Sequence, residues 1–169
     1  MPASFAVRPA RPDDVPSLVA MVRELAAYER AEDQVQTTDE ALHGALFGPF
    51  GPEGGPFVSA LVADSGDRLV GMAVYFVSFS TWTGRHGIYL EDIYVRPDVR
   101  RGGVGSALLR ALAGEVVSRG FTRLEWSVLD WNSPAIEFYK ACGAFGLEEW
   151  TTFRLAGEAL RAMASGAAI

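Results

Sequence analysis

The chain has a single cysteine, Cys142, so no disulfide can form within it. Cys142 follows a helical apolar pattern and is expected to be a small buried hydrophobe. Its two histidines, His43 and His86, are too few for the usual His-rich metal site, and no metal is expected. A basic surplus is also missing. Fifteen Lys and Arg stand against 21 Asp and Glu, giving a formal charge of −6 and a pI near 4.9. Nucleic-acid binding is disfavoured, because neutralising phosphates needs a basic face. No run of 18 apolar residues occurs and no stretch reads as a signal peptide. No membrane partner is expected, and the expected location is cytoplasmic. Two familiar phosphate signatures are absent too. One is G-x-G-x-x-G with an acidic residue about 20 positions on; the other is a P-loop with Lys and Ser/Thr after its second glycine.

What is present suits one compact domain over 1–169. The 169 residues are 49% hydrophobic, and a chain of that size buries roughly 70% of its unfolded surface. Its most informative stretch is YLEDIYVRPDVRRGGVGS, Tyr89 to Ser106. Ile88, Leu90, Asp92 and Tyr94, with Ile93 and Val95, fit a strand buried mostly on both faces. Pro97 stops it. Leu108, Leu109, Leu112, Val116 and Val117 then recur at helical spacing up to Gly120, a natural stop. Between strand and helix lies Arg100-x-x-Gly103-x-Gly105. Backbone N–H groups at a helix N-terminus are a ready seat for phosphate oxygens. Glu91 places a carboxylate in the strand just before. A phosphate cradle beside a candidate general base suggests an enzyme using a phosphorylated cofactor. Apart from its surroundings, the loop reads equally as a plain glycine-rich turn.

The rest of the chain alternates short elements. Phe5 to Arg8 reads as a strand. Asp13 and Asp14 can cap a helix carrying Val15, Leu18, Val19, Val22, Leu25 and Ala26. Thr37-x-x-Glu40 is a capping box for a second helix ending near Phe47. Gly48 to Pro56 is a Gly/Pro loop. Phe57 to Ala63 and Leu69 to Phe79 form a hairpin about Ser65-Gly66-Asp67. Thr122 to Leu129 is a strand, Ser133 to Cys142 a helix with Pro134 at its first position, and Trp150 to Leu155 a last strand. The fold class is mixed α/β (α+β), with helices on both faces of a sheet.

A second constellation is DWNSPAIEFYK, Asp130 to Lys140. Asn132 lies at a strand-to-helix junction, where capping is its plain role; Ser133 can also cap. Tyr139 shares a helix face with Ile136 and by itself reads as a core or rim aromatic. A phenol with its ordinary pKa near 10 can also protonate a thiolate leaving group.

With these residues the chain resembles the GNAT acetyltransferases, and within them the spermidine/spermine (diamine) and thialysine acetyltransferase branch. The resemblance covers nearly the whole chain: FAVRPA, LAAYER, VGMAVYF, the W-x-G of Trp82 and Gly84, YLEDIYV, RRGGVGS, DWNSPAIEFYKACGA and WTTFRL. It implies a mostly antiparallel mixed sheet whose central strands splay to admit acetyl-CoA. It implies a pyrophosphate cradle at Arg100, Arg101, Gly102, Gly103, Val104, Gly105 and Ser106. Ile93, Tyr94 and Val95 match the strand that pairs with pantetheine, and Asn132, Ser133 and Pro134 match further cofactor contacts. Tyr139 matches the general acid. Glu91 matches the residue that takes the amine proton through water. Tyr28, Glu29, Trp82, Glu125, Trp126 and Ser127 match the substrate-lining positions. Family members are commonly homodimers that share substrate sites. One departure stands out. The polyamine enzymes carry an acidic residue two positions before the Trp, where this chain has Ser80, and the segment to Glu91 is one residue longer. That counts against spermidine and spermine more than against acetyl transfer.

The expected activity is transfer of the acetyl group of acetyl-CoA to a primary amine of a small molecule, by direct attack in a ternary complex. The competing readings are an acetyl-CoA sensor without turnover and a protein lysine or N-terminal acetyltransferase.

Overall fold

Apolar alternation and helical periodicity build two units, which the computed structural model describes over residues 4–49 and 56–166. The units are Met1–Ser127 and Val128–Ile169. In the first, β1 (Ala6–Pro9), β2 (Ser59–Asp64), β3 (Leu69–Ser80), β4 (Arg85–Val95) and β5 (Leu124–Trp126) form a sheet in the order β1-β2-β3-β4-β5. The first four strands are antiparallel; β5 joins β4 in parallel. The sheet is therefore mixed and mostly antiparallel, as expected.

Helices α1 (Val15–Glu29) and α2 (Asp39–Phe47) cover one face. Leu18, Met21 and Leu46 pack there with Val62, Met72, Val74 and Tyr94. Helix α3 (Val104–Ser118) covers the other face, burying Val104, Leu108 and Leu112. Gly71 permits that close approach, since a Cβ there would stand 3.0 Å from the Val104 Cγ1 and from the Tyr94 carbonyl oxygen.

Helix starts differ in detail from the sequence reading. Asp14 precedes α1 but makes no capping bond to it. Its carboxylate instead accepts from the Arg8 guanidinium at 2.7 and 3.0 Å and from the Arg11 N–H at 2.7 Å. A charged bidentate partner outcompetes a neutral backbone donor. The Arg8 guanidinium accordingly holds the Asp14 carboxyl below its ordinary range. For α2 the cap is Thr38 rather than Thr37, its Oγ1 accepting from Ala41 N–H at 3.1 Å. At the β2–β3 hairpin, Gly66 takes φ +93° and its N–H donates to Asp64 Oδ1. Of the expected Gly48–Pro56 loop, residues 50–55 lie outside the described residues.

The strand expected over Thr122–Leu129 is only Leu124–Trp126. Its pairing with β4 runs Ile88↔Leu124, Tyr89↔Glu125 and Leu90↔Trp126 and stops there. Without further rungs a strand has no reason to continue.

In the second unit α4 spans Ser133–Ala141, with Pro134 second rather than first, and Gly143 takes φ +89° just beyond its end. Cys142 is exposed, not buried, because it falls at the C-cap, past the last turn of a nine-residue helix. The last strand expected at Trp150–Leu155 does not form. The unit has no other strand among the described residues to pair with it, and the chain enters helix α5 (Gly157–Ser165) instead.

Candidate active site

The β3–β4 ladder pairs Val74 with Asp92 and Tyr75 with Leu90, so Glu91 is an extra residue in β4, a β-bulge. Beyond it the ladder resumes, and the Arg96 N–H donates to the Val70 carbonyl at 3.0 Å. Strict alternation then turns the backbone groups of Asp92 and Tyr94 toward β3 and those of Ile93 and Val95 to the opposite side. That is the side on which β5 pairs only as far as Leu90. The three-residue β5 thus leaves the end of β4 with a strand edge that no strand among the described residues pairs. The Val95 carbonyl on that edge accepts from Arg100 Nε at 2.9 Å.

The chain then makes a short 3-10 turn, Pro97–Val99, and reaches the glycine loop. Arg101 takes φ +64° and Gly103 φ +84°, the latter at the N-cap of α3. A Cβ on Gly102 would lie 3.0 Å from the Val99 carbonyl oxygen. Val104, Gly105 and Ser106 form the first turn, where backbone N–H groups have no intrahelical acceptor. No acidic residue lies in that turn. The 15-residue helix adds its dipole, so the cradle fits an anionic phosphate group.

The face of the sheet under α1 gathers carboxylates. Glu29 is the last residue of α1. Glu91 is exposed on the bulge and Asp92 is partly buried beside it. Burial pushes the Asp92 carboxyl up to about 6, helped by the charges of Glu91 and Glu29. Burial also raises Glu29. Asp92 is the residue that sequence reasoning missed. In sequence it fills a strand position beside Leu90 and Tyr94, although YLED sets two adjacent carboxylates in an apolar strand.

Other expected positions divide. Glu125 lies in β5, flanked two residues to either side by Arg123 and Ser127. Arg123 Nε meets Glu125 Oε2 at 2.5 Å, and Tyr89 Oη meets Ser127 Oγ at 2.9 Å. Trp126 alternates to the other face. Tyr28 precedes Glu29 and carries the Arg100 guanidinium over its ring at 5.1 Å. Trp82 is 87% exposed on the β3–β4 turn. There Ser80 closes the turn, accepting from Thr83 N–H at its Oγ and from Gly84 N–H at its carbonyl. Six residues of strand, ~20 Å at about 3.3 Å each, separate Arg85 from Glu91 in the same chain.

In the second unit Asn132 is buried and caps α4, its Oδ1 accepting from Ala135 N–H at 3.4 Å. Ser133 and Pro134 are exposed in the first turn, and Tyr139 is half-buried in the last, its ring 5.4 Å from that of Phe138. Among the described residues no cluster of three or more His, Cys, Asp or Glu could hold a metal ion, and no helix is long and apolar enough to cross a membrane.

Residues 18–144 match the Acetyltransferase (GNAT) family. The chain is 40% identical to a thialysine N-epsilon-acetyltransferase of Sus scrofa, over 96% of this chain and 98% of that protein. It is 30% identical to an L-ornithine N5-acetyltransferase of Arabidopsis thaliana, over 93% and 86%. Its backbone resembles an integron cassette protein of V. cholerae with a TM-score of 0.76 at 24% identity, over 95% and 98% of the two chains.

Proposed function

The chain belongs to the GNAT acetyltransferase family, and we propose that it moves the acetyl group of acetyl-CoA onto the terminal amine of a small amino acid-like molecule. One observation carries this reading. The β4 edge left by the short β5 leads into a glycine-capped helix start, with Glu91 and Asp92 at the bulge beside it and the Glu29 charge acting on Asp92 from the end of α1. Acetyl-CoA supplies an activated thioester and a thiolate leaving group. Ile93 and Val95 offer backbone groups to its amide chain, and residues Arg101 to Ser106 offer N–H groups to its pyrophosphate; Asn132, Ser133 and Pro134 are assigned further contacts by the resemblance.

The amine arrives as an ammonium, whose lone pair is occupied. Glu29, Glu91 and Asp92 attract it, and Glu91, exposed to solvent, takes its proton directly or through water. Attack on the acyl carbon develops an oxyanion, which strand N–H groups at the β4 edge can stabilise. Tyr139 returns a proton to the departing thiolate. The acceptor class rests on two supports. Ser80 gives no counter-charge for a distal ammonium, and the two relatives above are named for acetylating the side-chain amine of an amino acid. Polyamines are the second choice.

We further infer a cytoplasmic enzyme without nucleic-acid or membrane partners, acting as a homodimer. Trp82, Phe79, Trp150 and Phe153 are 87, 54, 69 and 90% exposed, more aromatic surface than solvent favours. A CoA-release assay across thialysine, lysine, ornithine, spermidine and short lysine peptides tests the function. Release with the amino acids supports it. Peptide-only turnover, or binding of acetyl-CoA with no turnover on any amine, refutes it.

A further inference from the structure

Arg100 opens the glycine loop, and its side chain engages strand β4 and the end of α1. Its Nε donates to the Val95 carbonyl at 2.9 Å. Its guanidinium carbon lies 5.1 Å from the Tyr28 ring centre and 5.7 Å from that of Tyr94. Each partner belongs to a different part of the proposed site. Val95 lies on the strand edge offered to the cofactor. Tyr94 is buried, 5% exposed, in the core beneath α1. Tyr28 adjoins Glu29 at the end of α1, on the amine side. A second tie runs parallel, one helical turn earlier: Glu24 forms an ion pair with Arg96, N to O 3.2 Å.

We propose that Arg100 is a positioning residue that couples the two substrate sites, holding Tyr28 in place for the amine while it pins the Val95 carbonyl at the cofactor edge. The proposal rests on the acetyltransferase reading. A planar guanidinium is needed for it, because only a flat cation can lie against two rings while its Nε reaches a carbonyl; an ammonium is a point charge. A simple phosphate contact would need only the charge. The two roles therefore part company in Arg100→Lys.

Coupling is reciprocal: if ordering one site improves the other, CoA must tighten amine binding by the same factor that the amine tightens CoA. In the wild type, calorimetry should give a higher CoA affinity in the presence of thialysine. In Arg100→Lys the KM for thialysine should rise about fivefold, the scale of an exposed cation–π contact, CoA alone should weaken by clearly less than that because the charge is kept, and the mutual enhancement should vanish. Tyr28→Leu should raise the same KM, and the double variant should be no worse than the worse single one. Urea unfolding of each variant checks that the fold is kept. An unchanged thialysine KM in Arg100→Lys overturns the proposal, as do additive effects in the double variant, or a lysine that weakens CoA alone as much as it weakens the amine. Failure of the wild type to bind CoA at all would instead refute the acetyltransferase reading.

Discussion

At the scale of single residues, the Asp92 carboxyl links stability to chemistry. Its ordinary value is 3.8, and burial, then Glu91 and Glu29, push it up to about 6. Between those values the native state holds a proton that the unfolded chain has released, so native stability is highest at low pH through this group and falls as pH rises across the window. Two pKa units correspond to about 3 kcal/mol. Asp92→Asn keeps the shape and removes the charge. Urea unfolding at pH 7 should show the variant more stable by about 2 kcal/mol, with the fall between pH 4 and 6 flattened; an identical pH slope in both proteins would contradict the assignment. The gain should come with a higher amine KM, since an ammonium offsets the repulsion that the carboxylates impose on one another. Tyr139→Phe tests a different group. Removing only the hydroxyl should lower kcat by about 100-fold while calorimetric affinity for CoA holds, because the proton is needed as the thiolate leaves. Glu91→Gln should also slow turnover, but its deficit should shrink at high pH, where free amine needs no base. Retained wild-type turnover with chemistry rate-limiting would remove either residue from the mechanism.

Among elements, the strand–loop–helix unit from β4 to α3 carries the cofactor argument. Gly103 sits at φ +84°, with open space where a Cβ would go. A Val there is strained by its backbone, and its side chain would stand where an anion must approach the N–H groups. Gly103→Val should therefore weaken CoA binding at least tenfold, while the fold survives; unchanged affinity in the folded variant would clear the loop of the role. This unit was legible in the sequence because its parts are local: an apolar strand, a proline stop, glycines and a helical repeat. The bulge at Glu91 was not, since it exists only in register against Val74 and Tyr75, about 16 residues away in the chain. Asp92 was missed for the same reason, its titration depending on Glu29 from a distant helix. Trp150–Leu155 has strand-like composition, but propensity cannot supply the partner that a ladder requires. In sequence Asp14 looks like a helix cap, because the Arg8 guanidinium that holds it lies on β1 and is shared with Asp64 of β2, neither of them its neighbour in the chain.

For the whole molecule, Trp82 makes assembly a question about catalysis. The residue matches a substrate position by resemblance, yet it stands at the tip of the β3–β4 turn, ~20 Å of strand from Glu91 of its own chain. On the proposed homodimer reading, a site that uses both residues is completed by the turn of a second copy. Light scattering at micromolar concentration should then give twice the 18.2 kDa of one chain. Each copy bears a formal charge of −6, so association should tighten as salt rises from about 10 to 150 mM and screens their repulsion. The decisive test mixes two crippled proteins, Trp82→Ala and Glu91→Gln, under conditions in which subunits exchange. A mixed dimer pairs the intact Glu91 of the first with the intact Trp82 of the second and so rebuilds one wild-type site in two. Random exchange of equal amounts makes half the dimers mixed, so activity should climb to about one quarter of the wild-type value. If each chain furnished its whole site alone, mixing would yield only the mean of the two variants, and a mass near that of one chain would deny the shared site any basis.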